Sequence, residues 1–99
     1  MTRVAEKYEK NLKEDLRDPF EAAEYLNAAL EDGSPGVFLL ALKDVAQAKG
    51  IAEIARKTNL NRENLYRILS KRGNPQLKSL SSVLHSVGLK LSVEVEQHI

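Results

Sequence analysis

G-I-A-E-I-A-R-K-T-N-L-N-R-E-N-L-Y-R-I-L, residues 50–69, carries the same apolar spacing twice. Ile51, Ile54 and Ala55 fall on one face of a short helix, and Leu65, Ile68 and Leu69 repeat that i, i+3, i+4 pattern. The T-N-L-N between them supplies a stop and a start. Asn59 tolerates the left-handed backbone that ends a helix, Asn61 can cap the next one, and Leu60 is the apolar plug of the turn. Ala55 is small where two helices cross steeply over a short turn, because a longer side chain would push their axes apart. The stretch therefore predicts a helix-turn-helix over 51–70. The outward side of its second helix reads Asn61, Arg62, Glu63, Asn64, Tyr66, Arg67 and Lys71, nearly all side chains that can bond base edges or phosphates.

The overall charge of +1 conceals a division along the chain. Residues 1–48 carry a net −4, residues 49–78 a net +6 and residues 79–99 a net −1. A run of charge is ordinarily a solvated face. Here the basic block coincides with the predicted helix-turn-helix, as a phosphate-facing surface requires, since neutralising phosphates dominates affinity for DNA.

Working outward, A-Q-A-K-G at 46–50 ends a preceding helix at Gly50. That helix opens at Ser34-Pro35, a cap followed by a first-turn proline, and is apolar on most sides at Val37, Phe38, Leu39, Leu40, Leu42, Val45 and Ala46, which predicts a central position. Upstream, Asp18-Pro19-Phe20-Glu21 is another helix start, with Glu21 placed to complete a capping box. Phe20, Ala23, Leu26 and Leu30 are expected on its buried face, with a stop at Asp32-Gly33. Residues 1–17 form an N-terminal arm or a helix with a narrow stripe of Val4, Tyr8, Leu12 and Leu16; residues 18–99 are expected to form one helical domain.

Downstream, Asn74-Pro75 repeats the cap-and-proline signal, Leu77, Leu80, Val83, Leu84 and Val87 give a buried face, and Gly88 ends that helix. From Leu89 to Glu96 the period changes: Leu89, Leu91, Val93 and Val95 alternate with polar residues, which predicts one short strand. A lone strand in a helical body needs a partner, most simply the same strand of a second copy, so these four residues are the expected dimer contacts. The fold class expected is all-α, a bundle of about five helices with a short C-terminal strand.

Ninety-nine residues suit one modest core, and five aromatics without tryptophan suit helices better than packed sheets. Without cysteine there is neither a disulfide framework nor a thiolate metal site. The longest apolar run, 37–42, is too short to span a bilayer, and the N-terminus lacks a signal-peptide core. A soluble cytoplasmic protein is expected. His85 and His98 have no metal-ligand spacing, there is no G-x-S-x-G elbow and no Gly-rich phosphate loop, so neither catalysis nor a cofactor or metal is expected.

The DNA-contact candidates are Asn61, Arg62, Glu63, Asn64, Tyr66 and Arg67, flanked by Lys57, Lys71, Arg72 and Lys78. Arginine can fork onto guanine, asparagine onto adenine, and glutamate can accept from cytosine. Other readings stand beside these. Glu63 and Arg67 have the spacing of a helix-surface pair, Asn61 serves first as a cap, Tyr66 can roof the core, and the lysines can simply be solvated. Glu14, Asp15, Glu24 and Glu31 belong to an acidic series that either attracts a basic partner or keeps a helical face soluble.

From about Leu16 onward the chain resembles the family of addiction-module antidotes, small Xre/Cro-type helix-turn-helix antitoxins related to the HigA antitoxins. The resemblance rests on D-L-R-D-P-F-E-A-A-E-Y-L-N-A-A-L-E-D-G at 15–33, F-L-L-A-L-K-D-V-A-Q-A-K-G at 38–50, the 51–70 stretch, G-N-P at 73–75 and V-G-L-K-L-S-V at 87–93. Asn59 is a departure, standing where such proteins often have glycine. The resemblance implies an autorepressor of double-stranded operator DNA that also neutralises a toxin like the RelE or HigB ribonucleases, and it favours the partner reading of the acidic series, with Glu14, Asp15, Glu24 and Glu31 as the toxin contacts. It implies base reading by Arg62, Glu63, Asn64 and Arg67. A bacterial or prophage transcriptional regulator without a toxin is the alternative.

Overall fold

The computed structural model describes residues 12–97. Five helices follow a short helical stretch at 12–15: α1 (Pro19–Glu31), α2 (Pro35–Lys49), α3 (Ile51–Thr58), α4 (Arg62–Ile68) and α5 (Leu77–Ser86). Among the described residues the chain is all-helical, with no strand. Val4 and Tyr8 of the expected N-terminal stripe lie outside the described residues. Leu16 is buried in the core, and Leu12 packs against it. The segment is tied down further by Arg17, whose Nε donates to the carbonyl of Ala48 at 3.0 Å.

The helix starts follow local chemistry. The Asp18 carboxylate accepts the N–H of Phe20 at 3.0 Å, with Pro19 in the first turn of α1. Ser34 holds the extended cap conformation before Pro35, although its hydroxyl makes no cap hydrogen bond. Gly50, at φ +112°, is at once the C-cap of α2 and the N-cap of α3, so the two helices share one residue as their joint. That backbone disfavours any side chain with a Cβ, and the glycine removes the conflict.

α3 is the hub, in extensive contact with α2, α4 and α5, while α1 packs mainly on α2. Leu42, Ala46, Ile54, Leu65 and Val83, from four helices, have no exposed surface. Leu42, Ile54, Leu65 and Val83 each contribute about 1.5–3 kcal/mol relative to exposure.

Three expectations about the helices are corrected: the buried face of α1, the start of α5 and the burial of Leu77. The buried face of α1 consists of Ala22, Leu26 and Ala29, while Phe20 is 85% exposed and Leu30 56%. The true face lies about a quarter turn from the one expected, because small alanines let α1 lie close to α2 and the larger side chains are left outside. Pro75 does not open α5; Gln76 stands in the cap position and the helix begins at Leu77. Leu77, the first residue of α5, is 70% exposed rather than inside, although it shares the helix face of buried Leu84 seven residues on. At the far end the C-terminal segment has no strand in the single chain, where no neighbouring edge exists to pair with it. Leu89 instead completes the helix stop: its N–H donates to the Leu84 carbonyl at 2.8 Å and the Gly88 N–H to the His85 carbonyl at 3.0 Å, with Gly88 at φ +85°.

Candidate nucleic-acid interface

α3 and α4 are joined by Asn59, Leu60 and Asn61. Asn59 has φ 60° and ψ 24°, the left-handed conformation expected of it, and no other non-glycine residue described has positive φ. The Asn61 side chain accepts the Asn64 N–H at 2.7 Å, capping α4. Thr58 Oγ1 donates to the Ile54 carbonyl at 2.7 Å and accepts from the Leu60 N–H at 3.4 Å, bracing the turn from within. Leu60 and Ala55 pack on the core, and Leu65 and Leu69 hold α4 down by its inner side.

The outward side of α4 is polar as expected. Asn61, Arg62, Glu63, Tyr66 and Arg67 are exposed, Asn64 is half-buried, and Lys71, Arg72 and Lys78 are exposed beyond the helix. Glu63 and Arg67 form no ion pair among the described residues. Arg67 Nη2 donates instead to Asn64 Oδ1 at 2.9 Å, so two candidate base readers are tied to each other. The Asn64 amide keeps its NH₂ group, and Arg67 its other guanidinium donors, to offer outward. Tyr66 is 38% exposed, neither sealed into the core nor fully free.

The flanking cations divide into two groups. Arg67 and Arg72 line an open cleft of about 650 Å³ with Ser70, Asn74, Gln76 and Ser79, formed by the end of α4, the following turn and the start of α5. Lys57 and Lys78 line a separate groove of about 510 Å³ with Ser81, Ser82 and His85, to which α4 contributes nothing. Sequence reasoning missed these serines and amides. Their signal was a run of polar residues after α4, legible only once the turn had brought them back beside Arg67.

Lys57 is engaged as well. Its Nζ lies 3.0 Å from Glu53 Oε1, one turn earlier on α3. The hydrogen bond from Lys57, then its charge, hold the Glu53 carboxyl below the usual carboxylate range. With both side chains nearly half exposed, the pair is screened and contributes little to stability.

Gly36 positions the turn after α4. A Cβ on Gly36 would stand 2.7 Å from the Lys71 carbonyl oxygen and 2.8 Å from Lys71 Cγ, so the first turn of α2 touches the backbone of that turn directly. Lys71 and Arg72 are thereby presented from a braced segment.

The remaining candidates lie elsewhere. Glu14 and Asp15 are exposed beside the helical stretch at 12–15, and Glu24 and Glu31 are exposed on α1. Of the expected dimer contacts, Leu89 packs on its own core, Leu91 is 44% exposed, and Val93 and Val95 are 99% and 88% exposed. No helix among the described residues is long and apolar enough to cross a membrane.

Comparison with known proteins adds the family. A protein of Haemophilus influenzae described as an uncharacterized protein is 33% identical over 84 residues, spanning 85% of this chain and 87% of that protein. No solved structure matches the chain. Residues 6–95, which include every element described above, match the family described as "Probable addiction module antidote protein". The chain belongs to that antidote family, whose members imply a toxin as partner.

Proposed function

We propose that this chain is the antitoxin of a type II toxin-antitoxin module, one that neutralises a toxin like the RelE or HigB ribonucleases and represses its own operon. In this reading α3 and α4 are an Xre/Cro-type helix-turn-helix, related to that of the HigA antitoxins, with α4 entering the major groove of operator DNA. One observation carries the DNA half: the net +6 of residues 49–78 coincides with a capped, outward-facing helix of Arg62, Glu63, Asn64 and Arg67. Lys71, Arg72 and Lys78, and Lys57 once released from Glu53, would meet phosphates.

Two copies are required for a palindromic operator, since recognition helices must be held about 34–36 Å apart. The tail supports such a dimer: Leu91, Val93 and Val95 alternate with polar residues and face solvent in the single chain. Pairing with the tail of a second copy would form the short strand and cover them.

The test is copurification with the product of the adjacent reading frame, followed by binding to upstream DNA at several salt concentrations. Capture of a small basic ribonuclease and steep salt dependence support the whole reading. DNA binding without any toxin partner would leave a transcriptional regulator instead. Absence of salt-dependent DNA binding would remove the repressor role.

A further inference from the structure

The outer face of α1 is at odds with what folding alone would select. At 3.6 residues per turn, Phe20, Glu24, Asn27 and Glu31 fall within about 60° of one another, opposite the buried Ala22, Leu26 and Ala29. All four are exposed, and Phe20, at 85%, is the most exposed aromatic among the described residues. An aromatic ring in water contributes nothing to the core, and its large apolar area is left available to a partner.

The surrounding charge is equally one-sided. From Asp18 to Asp32 there are five carboxylates and neither lysine nor arginine. Glu31 and Asp32 stand at the C-terminus of α1, where the helix dipole disfavours negative charge and no basic residue in the last turn offsets it. Local stability thus argues against both the phenylalanine and the terminal acids.

We infer that the outer face of α1 is the docking surface for the toxin, with Phe20 as its apolar anchor and Glu24 and Glu31 as an acidic collar. The inference rests on the antitoxin reading above. The occupant is a basic, RNA-binding protein with an apolar pocket, matched by charge complementarity to a helix without a single cation. It deepens the expectation that acids alone make this contact. In protein interfaces a desolvated central aromatic carries affinity, while rim charges chiefly set the association rate.

The test measures binding of the purified product of the adjacent toxin reading frame to the full chain at low and moderate salt. Phe20→Ala should raise the dissociation rate at least about 30-fold, with little salt dependence. The double variant Glu24→Lys with Glu31→Lys should lower the association rate at low salt and flatten its salt dependence. It should also melt no lower than wild type, because Glu31→Lys relieves the helix terminus. Helical circular dichroism and operator binding should persist in all variants.

Full-strength toxin binding by Phe20→Ala would overturn the inference while leaving the antitoxin reading intact. So would a Phe20→Ala chain that sediments as a smaller species yet binds toxin normally, which would assign the ring to the contact between copies. If wild type itself fails to bind this toxin, the antitoxin reading fails, and the docking surface with it.

Discussion

The backbone N–H of Asn64 points at the side-chain oxygen of Asn61 across 2.7 Å, and this single contact starts α4. α4 has only seven residues, so a free N-terminal turn would be a large share of it. Asn61→Ala should cost about 1 kcal/mol. In a domain of this size that is a fall of about 4–8 °C in thermal midpoint. Asn61→Asp should restore the midpoint, while its added negative charge should weaken binding to any DNA. A midpoint unchanged by alanine would show that α4 is held by packing alone.

Arg62→Ala and Arg67→Ala should each cost about 1–3 kcal/mol on the operator and relax its base preference. Lys71→Ala should weaken all sequences alike and shallow the salt slope by about 1. Asn64→Ala tests the tie to Arg67: with the 2.9 Å bond gone, the arginine loses its fixed direction, and specificity should fall more than affinity. Binding assays on specific and random duplexes separate these outcomes, and equal losses on both for all variants would refute the assignment of readers.

Glu53→Gln should strengthen DNA binding at low salt. The change removes a negative charge from the basic block and frees Lys57. The glutamate's pKa is lowered in the folded state, so whatever stability the pair supplies is present above the unfolded pKa and fades as pH falls through the folded one. For an exposed pair that acid-side loss should be barely visible in thermal melts between pH 6 and pH 3, and the DNA assay is the informative one.

Gly36→Ala should destabilise the protein. Alanine improves helix propensity by about 1 kcal/mol, but its Cβ meets the Lys71 carbonyl, a backbone atom that cannot swing away. Overpacking of this kind costs about 1–3 kcal/mol, so the net effect should be a loss in chemical denaturation together with weaker DNA binding through the displaced Lys71 and Arg72. A more stable variant would mean that the turn yields freely.

Val93→Pro should leave the helices intact, since residue 93 is 99% exposed in the single chain. Proline removes a ladder donor, so the variant should sediment as a monomer, keep its helical circular dichroism and lose most affinity for a palindromic site. If it stays a dimer with unchanged operator binding, the contact between copies lies on the helices.

Much of this was legible in the sequence, and the exceptions share a cause. Asn59, Asn61, Gly50 and Gly88 act as the sequence indicates because each solves a local backbone problem within a few residues of itself. The α1 face departs from the expected one because hydrophobic size does not decide burial there: Ala22 and Ala29 are inside, against α2, while Phe20 and Leu30 are outside. Pro75 stands just before α5 rather than at its first position because Gln76 takes the cap, and an Asn-Pro pair by itself does not fix which following residue begins the helix. Among the candidate contacts, the exposure of Arg62 and Arg67 followed from helical period. The bond between Arg67 and Asn64, and the split of Lys57 and Lys78 from the other cations, depend on rotamers and crossing angles that no periodicity encodes.

The shared glycine joint between α2 and α3 also bears on how quickly the chain reaches its native state. With no loop between them, and with α1 packed on α2, α2 on α3 and α3 on α4, many stabilising contacts form between neighbours in sequence, while the docking of α5 on α3, of Arg17 on Ala48 and of Gly36 on Lys71 closes longer spans. Topologies built in that way fold on the microsecond-to-millisecond scale. Newly made chain would therefore be native almost as soon as Gly88 clears the ribosome, and its supply would be governed by synthesis and decay rather than by any wait to fold.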